Sequence, residues 1–292
     1  MTAAATGGDG ASARPRALVT GASAGLGRGY ALALAAEGYD LVLVARSAER
    51  LQTVAAEAES AHGIRAEVVP ADLSRPEDIG RLVDLISAQR IDVLVNNAGY
   101  GLREGLLDSD PAEVAALDMV LSTAVRELSL AAAVGMRARG RGGILTVSSL
   151  AALTTMGQYA ASKASSLVFT EALAGELRDT PVTVTAVLPG FVLTEFHERL
   201  GARRPGPRWI WLSIDDVVRT SLRDARRGRV VSIPGAHYAL AARFARLVPR
   251  GLIRRGSAGF AFDRQHDRGG RGDEPEGVGR GVSSSGKFFG PE

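Results

Sequence analysis

The chain has 292 residues, 46% of them hydrophobic and only 5% aromatic, enough apolar material for a sizeable core built mainly from Ala, Val and Leu. It contains no cysteine, which excludes disulfides, thiolate metal sites and cysteine nucleophiles together, and four scattered histidines argue against a metal centre. The formal net charge is only +3, with basic residues spread out except near the C-terminus, so composition gives no case for a nucleic-acid partner.

Residues 1–15 are rich in Ala, Gly and Thr, lack the apolar core of a signal peptide and read as a flexible N-terminus. No run of 18 uncharged apolar residues occurs; the longest candidate, residues 30–45, is interrupted by Glu37 and Asp40, and the expected location is the cytoplasm. Residues 16–20 (RALVT) form a short strand ending in a Gly-rich turn, and residues 25–37 an Ala/Leu helix stopped by Gly38. Residues 40–46 (DLVLVAR) are the near-continuous apolar run of a strand buried on both faces. Ser47 caps a helix that ends at Gly63, Val68 and Val69 lie in a third strand, Pro76 opens a third helix, and residues 91–95 form a fourth strand.

Asp110, Pro111 and Glu113 supply a capping residue, a proline at the first helical position and an early acid, so a long helix is expected from there to about Met136. Strands at 143–148, 182–188 and 229–233 then alternate with a helix at 157–177 and another capped by Ser213. Such alternation predicts a parallel sheet covered on both faces. Residues 195–212, which hold both tryptophans, break the rhythm and read as a lid-like insertion. Residues 236–255 read as a basic amphipathic helix: Tyr238, Leu240, Ala241, Phe244, Ala245, Leu247 and Val248 share one broad face, opposite Arg243, Arg246 and Arg250. Packing on its own domain or on a partner subunit ranks ahead of contact with a membrane surface. Residues 256–292, dominated by Gly, Arg, Ser and acids, read as a disordered tail.

Two features carry chemistry. The turn Thr20-Gly21-Ala22-Ser23-Ala24-Gly25-Leu26-Gly27 joins the first strand to the first helix, where glycines let the backbone approach a pyrophosphate and free N–H groups with the helix dipole hold its charge. Tyr159 and Lys163 stand four residues apart on one helical face, and a nearby ammonium favours a phenolate. Only Lys163 and Lys287 are lysines; Arg supplies the other 33 positive charges, so an amine at 163 stands out.

In this order the elements resemble those of the classical short-chain dehydrogenase/reductase family: Thr20, Gly21, Gly25 and Gly27; Asn96-Asn97-Ala98-Gly99; Ser148-Ser149; Tyr159 with Lys163; and Pro189-Gly190-Phe191-Val192-Leu193-Thr194. The resemblance spans about 16–235 and implies an α/β fold, a single Rossmann-type doubly wound domain whose seven-stranded parallel sheet has helices on both faces. It implies Tyr159 as general acid in carbonyl reduction and general base in reverse. By the same resemblance Lys163 is expected to lower the Tyr159 pKa and bind the nicotinamide ribose, and Ser149, rather than Ser148, to hold the substrate oxygen. Gly21, Ser23, Gly25, Leu26 and Gly27 are then expected around the phosphates and Asp72 and Leu73 at the adenine. Asn97, Ala98 and Gly99 line the groove, and Pro189, Gly190, Val192 and Thr194 lie near the carboxamide.

Cofactor choice has its own physical argument. An acid ending the second strand accepts hydrogen bonds from the ribose 2′-hydroxyl of NAD, but here Ala45 is followed by Arg46, whose planar donors suit a 2′-phosphate, with Ser23 as a second contact. NADP(H) is therefore expected in preference to NAD(H). The implied partners are a small carbonyl or alcohol substrate, apolar in view of Leu153, Met156, Trp209 and Trp211, and further copies of the chain in a homodimer or homotetramer built through the fourth and fifth helices.

Two departures from the family pattern bear on mechanism. An ungapped count from Asn96 puts Leu121 where the family usually has an Asn that places a proton-carrying water near the lysine, and only nine residues separate Ser149 from Tyr159, a shorter span than usual. Two readings follow: an NADP(H)-dependent oxidoreductase with an altered proton route, or an NADP(H)-binding regulatory protein with little turnover.

Overall fold

The computed structural model describes residues 14–102, 104–194, 207–245 and 248–257. Most of the N-terminal stretch, residues 195–206 of the lid-like insertion and the tail from 258 lie outside the described residues.

The sheet follows from side-chain alternation. In β1 (Arg16–Thr20) Ala17 and Val19 join one hydrophobic cluster and Leu18 the other; in β2 (Asp40–Ala45) Leu41 and Leu43 oppose Val42 and Val44. Strands apolar on both sides need helices on both sides. One face is covered by α1 (Gly25–Ala36), α2 (Ala48–His62) and α6 (Ile214–Arg226); the other by α3 (Pro76–Ala88), α4 (Pro111–Arg139) and α5 (Gly157–Glu176). With β3 (Ala66–Pro70), β4 (Val93–Asn96), β5 (Gly142–Val147), β6 (Val182–Val187) and β7 (Val231–Ser232), the sheet has seven parallel strands in the order β3-β2-β1-β4-β5-β6-β7. Across α1 and α6, the Tyr30 hydroxyl meets the Ser221 hydroxyl at 2.6 Å, and burial pushes the phenol pKa up. Most element ends agree with the sequence reading to within two residues. β4 starts later, at Val93, although the Asp92 N–H still donates to Arg16 O (2.8 Å); the Asp92 carboxylate accepts from the Arg16 N–H (3.0 Å) and from Arg90 (2.9 Å).

The fourth helix departs from expectation in the middle. It runs on to Arg139, and a π-helical turn, Met119–Thr123, interrupts it. By length and composition α4 is apolar enough to cross a membrane, but more than half of its most apolar stretch is buried against the sheet, as befits a core helix. A π turn widens the helix by one residue and recurs at functional sites. Here it is held from outside: the Asp118 carboxylate accepts from Ser122 Oγ (2.9 Å) and from Ser162 Oγ (2.7 Å) on α5, and Gln158 Nε2 donates to that same Ser162 hydroxyl (3.1 Å). The bracket ties α5 to this turn at Ser162, the neighbour of Lys163, and the Gln158–Ser162 bond within α5 spans Tyr159.

The basic extension is two helices, α7 (Ala236–Ala245) and α8 (Arg250–Ser257), and not one; Pro249, which cannot donate a backbone hydrogen bond, stands between them. Nor do its apolar residues share a buried face. Ala242 is buried and Tyr238 is seated on Gly190, whereas Leu240 and Phe244 point outwards.

Asp118→Ala is expected to lower the unfolding free energy by about 2 kcal/mol, because two hydroxyls lose a charged acceptor. In a double-mutant cycle with Ser162→Ala, measured by denaturant unfolding, the losses should be less than additive; simple additivity would dissolve the bracket.

Candidate active site

The site lies along the C-terminal edge of the sheet, where the chain, having built β1, β2 and β3 outwards, returns to pair β4 with β1. Thr20 Oγ1 accepts from the N–H groups of Asn97 (2.9 Å) and Ala98 (3.0 Å), and Asn97 Nδ2 donates to Thr20 O (2.9 Å). This latch presses the Gly-rich turn against the end of β4 so closely that a Cβ on Gly27 would lie 2.1 Å from Gly21 O, and one on Gly21 2.8 Å from Asn97 Nδ2. Gly21 and Gly25 have φ of 66° and 55°, which favours glycine at both. The residue capping α1 is Ala24, whose side chain makes no capping hydrogen bond, and no acid stands in the first turn. A glycine cradle at an uncapped, acid-free helix start suits a pyrophosphate. Asn97, expected to line the groove, has its side-chain amide committed to this latch.

At the far end of the groove Arg46 is exposed directly after β2. The Tyr100 phenol lies near it: burial raises the Tyr100 pKa, Arg46 lowers it, and Asp72 and Glu113 raise it. Asp72 accepts from Ser74 Oγ at 2.7 Å, while the Leu73 side chain belongs to the core cluster under α3 and α4. Gly25 faces Thr194, the methyl of which would lie 3.5 Å from an added Cβ, so the segment after β6 closes over the Gly-rich turn.

The third part is set by β5 and α5. The Ser149 hydroxyl reaches Tyr159 across the short intervening segment, which folds as a single 3-10 turn, Leu150–Leu153. Ser148 is used elsewhere, donating to Lys163 O at 2.8 Å. Lys163 is buried, with its Nζ donating to Val147 O at 2.6 Å and standing 5.8 Å from the Tyr159 ring centroid. Burial lowers the amine pKa to about 8. The Tyr159 pKa is raised by burial to about 12, against the lowering hydrogen bond from Ser149. In the chain by itself burial outweighs the Ser149 hydrogen bond at Tyr159. Leu121 stands where the count placed it, its Cδ2 2.9 Å from where a Gly99 Cβ would be, with Lys163 Nζ 3.5 Å from the same point.

Behind the site, Pro189 O accepts from Leu150 N (3.1 Å), and Val192 bridges Leu212. Tyr238 lies flat on Gly190, where a Cβ would come within 2.1 Å of its ring; its hydroxyl accepts from Phe191 N (3.1 Å) and donates to Ile210 O (2.7 Å). Trp211 packs on Phe191 with ring centroids 5.3 Å apart, while Trp209 is exposed and meets His237 edge-on. Leu153 packs into the small cluster of Ala152, Leu167, Ala186 and Leu188. Sequence reasoning missed the Val147 carbonyl, the Asp118–Ser162 bracket and Tyr238. The i,i+4 pairs Asp118/Ser122 and Gln158/Ser162 were the only visible signal for the bracket.

Comparison with known proteins identifies the family and the fold. A family model for short chain dehydrogenases matches residues 15–205. The 3-oxoacyl-(acyl-carrier-protein) reductase of Synechocystis sp. is 40% identical over 194 residues, covering 64% of this chain and 77% of that protein. The short-chain reductase protein NovJ of Streptomyces niveus is 35% identical over 219 residues, 73% of this chain and 80% of its own length. Among solved structures, a short-chain dehydrogenase from Sphingobium yanoikuyae in complex with NADPH superposes with a TM-score of 0.74 at 32% identity, covering 88% of this chain and 98% of that one. The chain belongs to the short-chain dehydrogenase/reductase family and is an enzyme of that family, with its Rossmann-type fold.

Proposed function

We propose that the protein is an NADP(H)-dependent reductase of apolar carbonyl compounds, running in reverse as an alcohol dehydrogenase, with Tyr159 as the proton donor. The observation that carries this reading is the hydrogen bond between Ser149 and Tyr159 beside a buried Lys163. A carbonyl oxygen placed between the two hydroxyls is polarised by both, and Tyr159 passes its proton to that oxygen as the carbon is reduced. A nicotinamide cofactor, when bound, would supply the hydride. With its pKa near 12, Tyr159 is a donor that holds its proton at neutral pH, as reduction requires. Lys163, fixed by Val147 O, presents its positive charge to the same place. The NADPH held by the Sphingobium relative supports the same cofactor here, as does Arg46 after β2. Met156, at the start of α5, and Trp211, packed on Phe191, support an apolar substrate class. Exposed Leu130 and Val134 on α4 and Val168 on α5 support a homo-oligomer built through these helices.

The second reading, a regulatory NADP(H) binder, draws on Leu121, which puts an apolar wall where water is usual. The two separate on one experiment. Tyr159→Phe is expected to lower kcat for NADPH-driven ketone reduction by about 10²- to 10⁴-fold while leaving NADPH binding intact; binding without any Tyr159-dependent turnover of ketones or aldehydes hands the case to the regulatory reading.

Arg46→Asp is expected to move the ratio of kcat/KM for NADPH over NADH towards NADH by about 10- to 100-fold. A wild-type preference for NADH would reject the assignment of Arg46.

The amine also makes a stability prediction. Its folded pKa, about 8, lies below its unfolded value, so the stability it withholds at low pH returns as pH rises from about 8 to about 10.5. At neutral pH the deficit is about 3 kcal/mol. Urea unfolding of Lys163→Met beside the wild type should therefore give an advantage to the variant near neutral pH that shrinks as pH approaches about 10. A pH-independent difference would mean that the amine is not desolvated.

A further inference from the structure

The reductase reading leaves the C-terminal helices unused. Leu240 and Phe244, one turn apart on α7, are 58% and 60% exposed, and Leu252 on α8 is 57% exposed. Arg243, Arg250, Arg254 and Arg255 are exposed among them, and the sequence carries no acid between Asp224 and Asp263. At the start of α7, Trp209, itself 69% exposed, meets the ring of His237, which lies one turn before Leu240. A run of exposed aliphatic and phenyl side chains flanked by arginines, with an indole at one end, is the composition of a helix that lies in a lipid–water interface.

We propose that α7 and α8 dock the enzyme peripherally on an anionic lipid bilayer, with Leu240, Phe244 and Leu252 entering the interface and Arg243, Arg250 and Arg254 meeting acidic headgroups. Charge selects this occupant. In a two-fold dimer through the same face, arginines would oppose arginines with no acid on either side. A headgroup layer supplies the missing negative charge, and acyl chains cover the apolar residues. The position of α7 fits as well: it is seated through Tyr238 on Gly190 and packs near the Leu150–Leu153 turn, so α7 stands on the same edge as the site. The inference does not depend on the reductase reading, because its readout is vesicle binding and not turnover.

The test is flotation of the full chain with phosphatidylcholine vesicles and with vesicles also containing phosphatidylglycerol. Binding to the anionic vesicles should exceed binding to the neutral ones by about tenfold or more and should weaken as salt is raised. The pair Leu240→Ser with Phe244→Ser, and separately the pair Arg250→Glu with Arg254→Glu, should each lower it by about tenfold or more. Both pairs should keep the wild-type melting temperature; should the serine pair misfold, the glutamate pair carries the test. Equal binding to both vesicle types, or binding that neither pair changes, overturns the proposal. So does light scattering that finds the oligomer broken by Phe244→Ser, which would assign the face to a second copy, or loss of wild-type vesicle binding in favour of an acidic protein supplied in competition.

Discussion

The hydrogen-bonded latch between Thr20 and Asn97 is the constraint from which the site follows. It joins the ends of two strands made seventy-odd residues apart, and it does so with a hydroxyl that accepts two backbone N–H groups and an amide that returns a bond to the first strand. Because the two ends are drawn together, the Gly-rich turn has no room for side chains at 21 and 27. The start of α1 is left bare towards the groove, while the chain after Asn97 is delivered to Gly99, in contact with Leu121 and near Lys163. The cofactor groove is in this sense a by-product of strand pairing: the sheet's switch in direction opens the crevice, and the latch fixes its floor.

At the other end a charge is kept where solvation would not keep it. Lys163 is surrounded by β5, α5 and Leu121, with the Val147 carbonyl accepting from it, and its amine pays in stability for being there. The neighbouring phenol is shifted in the opposite sense by the same burial. Desolvation disfavours the ionised form of each, so it brings the two pKa values no closer to exchange; it makes the tyrosine a firmer acid to hold and the lysine a readier cation to discharge. The bracket from Asp118 to Ser162 is the mechanical counterpart, fastening the turn of α5 that carries both groups to a widened turn of α4.

The fold was legible because its signal is periodic. Two-sided apolar strands, capping residues such as Ser47, Asp110 and Ser213, and a glycine ending α2 are local facts, and the structure uses each as its position suggests. The motif residues were legible for the same reason, being fixed to strand ends. What escaped was non-local or unrepeated. A π turn has no sequence period of its own, and here it depends on a carboxylate reaching a different helix. The bond from Lys163 to Val147 ends on a backbone atom, to which any residue type contributes alike. The helical extension was misread because a helical wheel treats all apolar residues as equivalent, whereas Tyr238 is selected inwards by a glycine beneath it and Phe244 is not.

That glycine couples two distant parts of the chain. Tyr238 occupies the volume that any side chain at 190 would need, and its hydroxyl completes the backbone of Phe191 and Ile210 on either side. Positions 190 and 238 are therefore constrained together: a side chain at 190 has no room while the aromatic ring at 238 is in place, and losing the ring loses the fastening of α7. In a set of related sequences the two columns should change together, although Tyr238 stands 47 positions beyond the Phe191 whose N–H it accepts from.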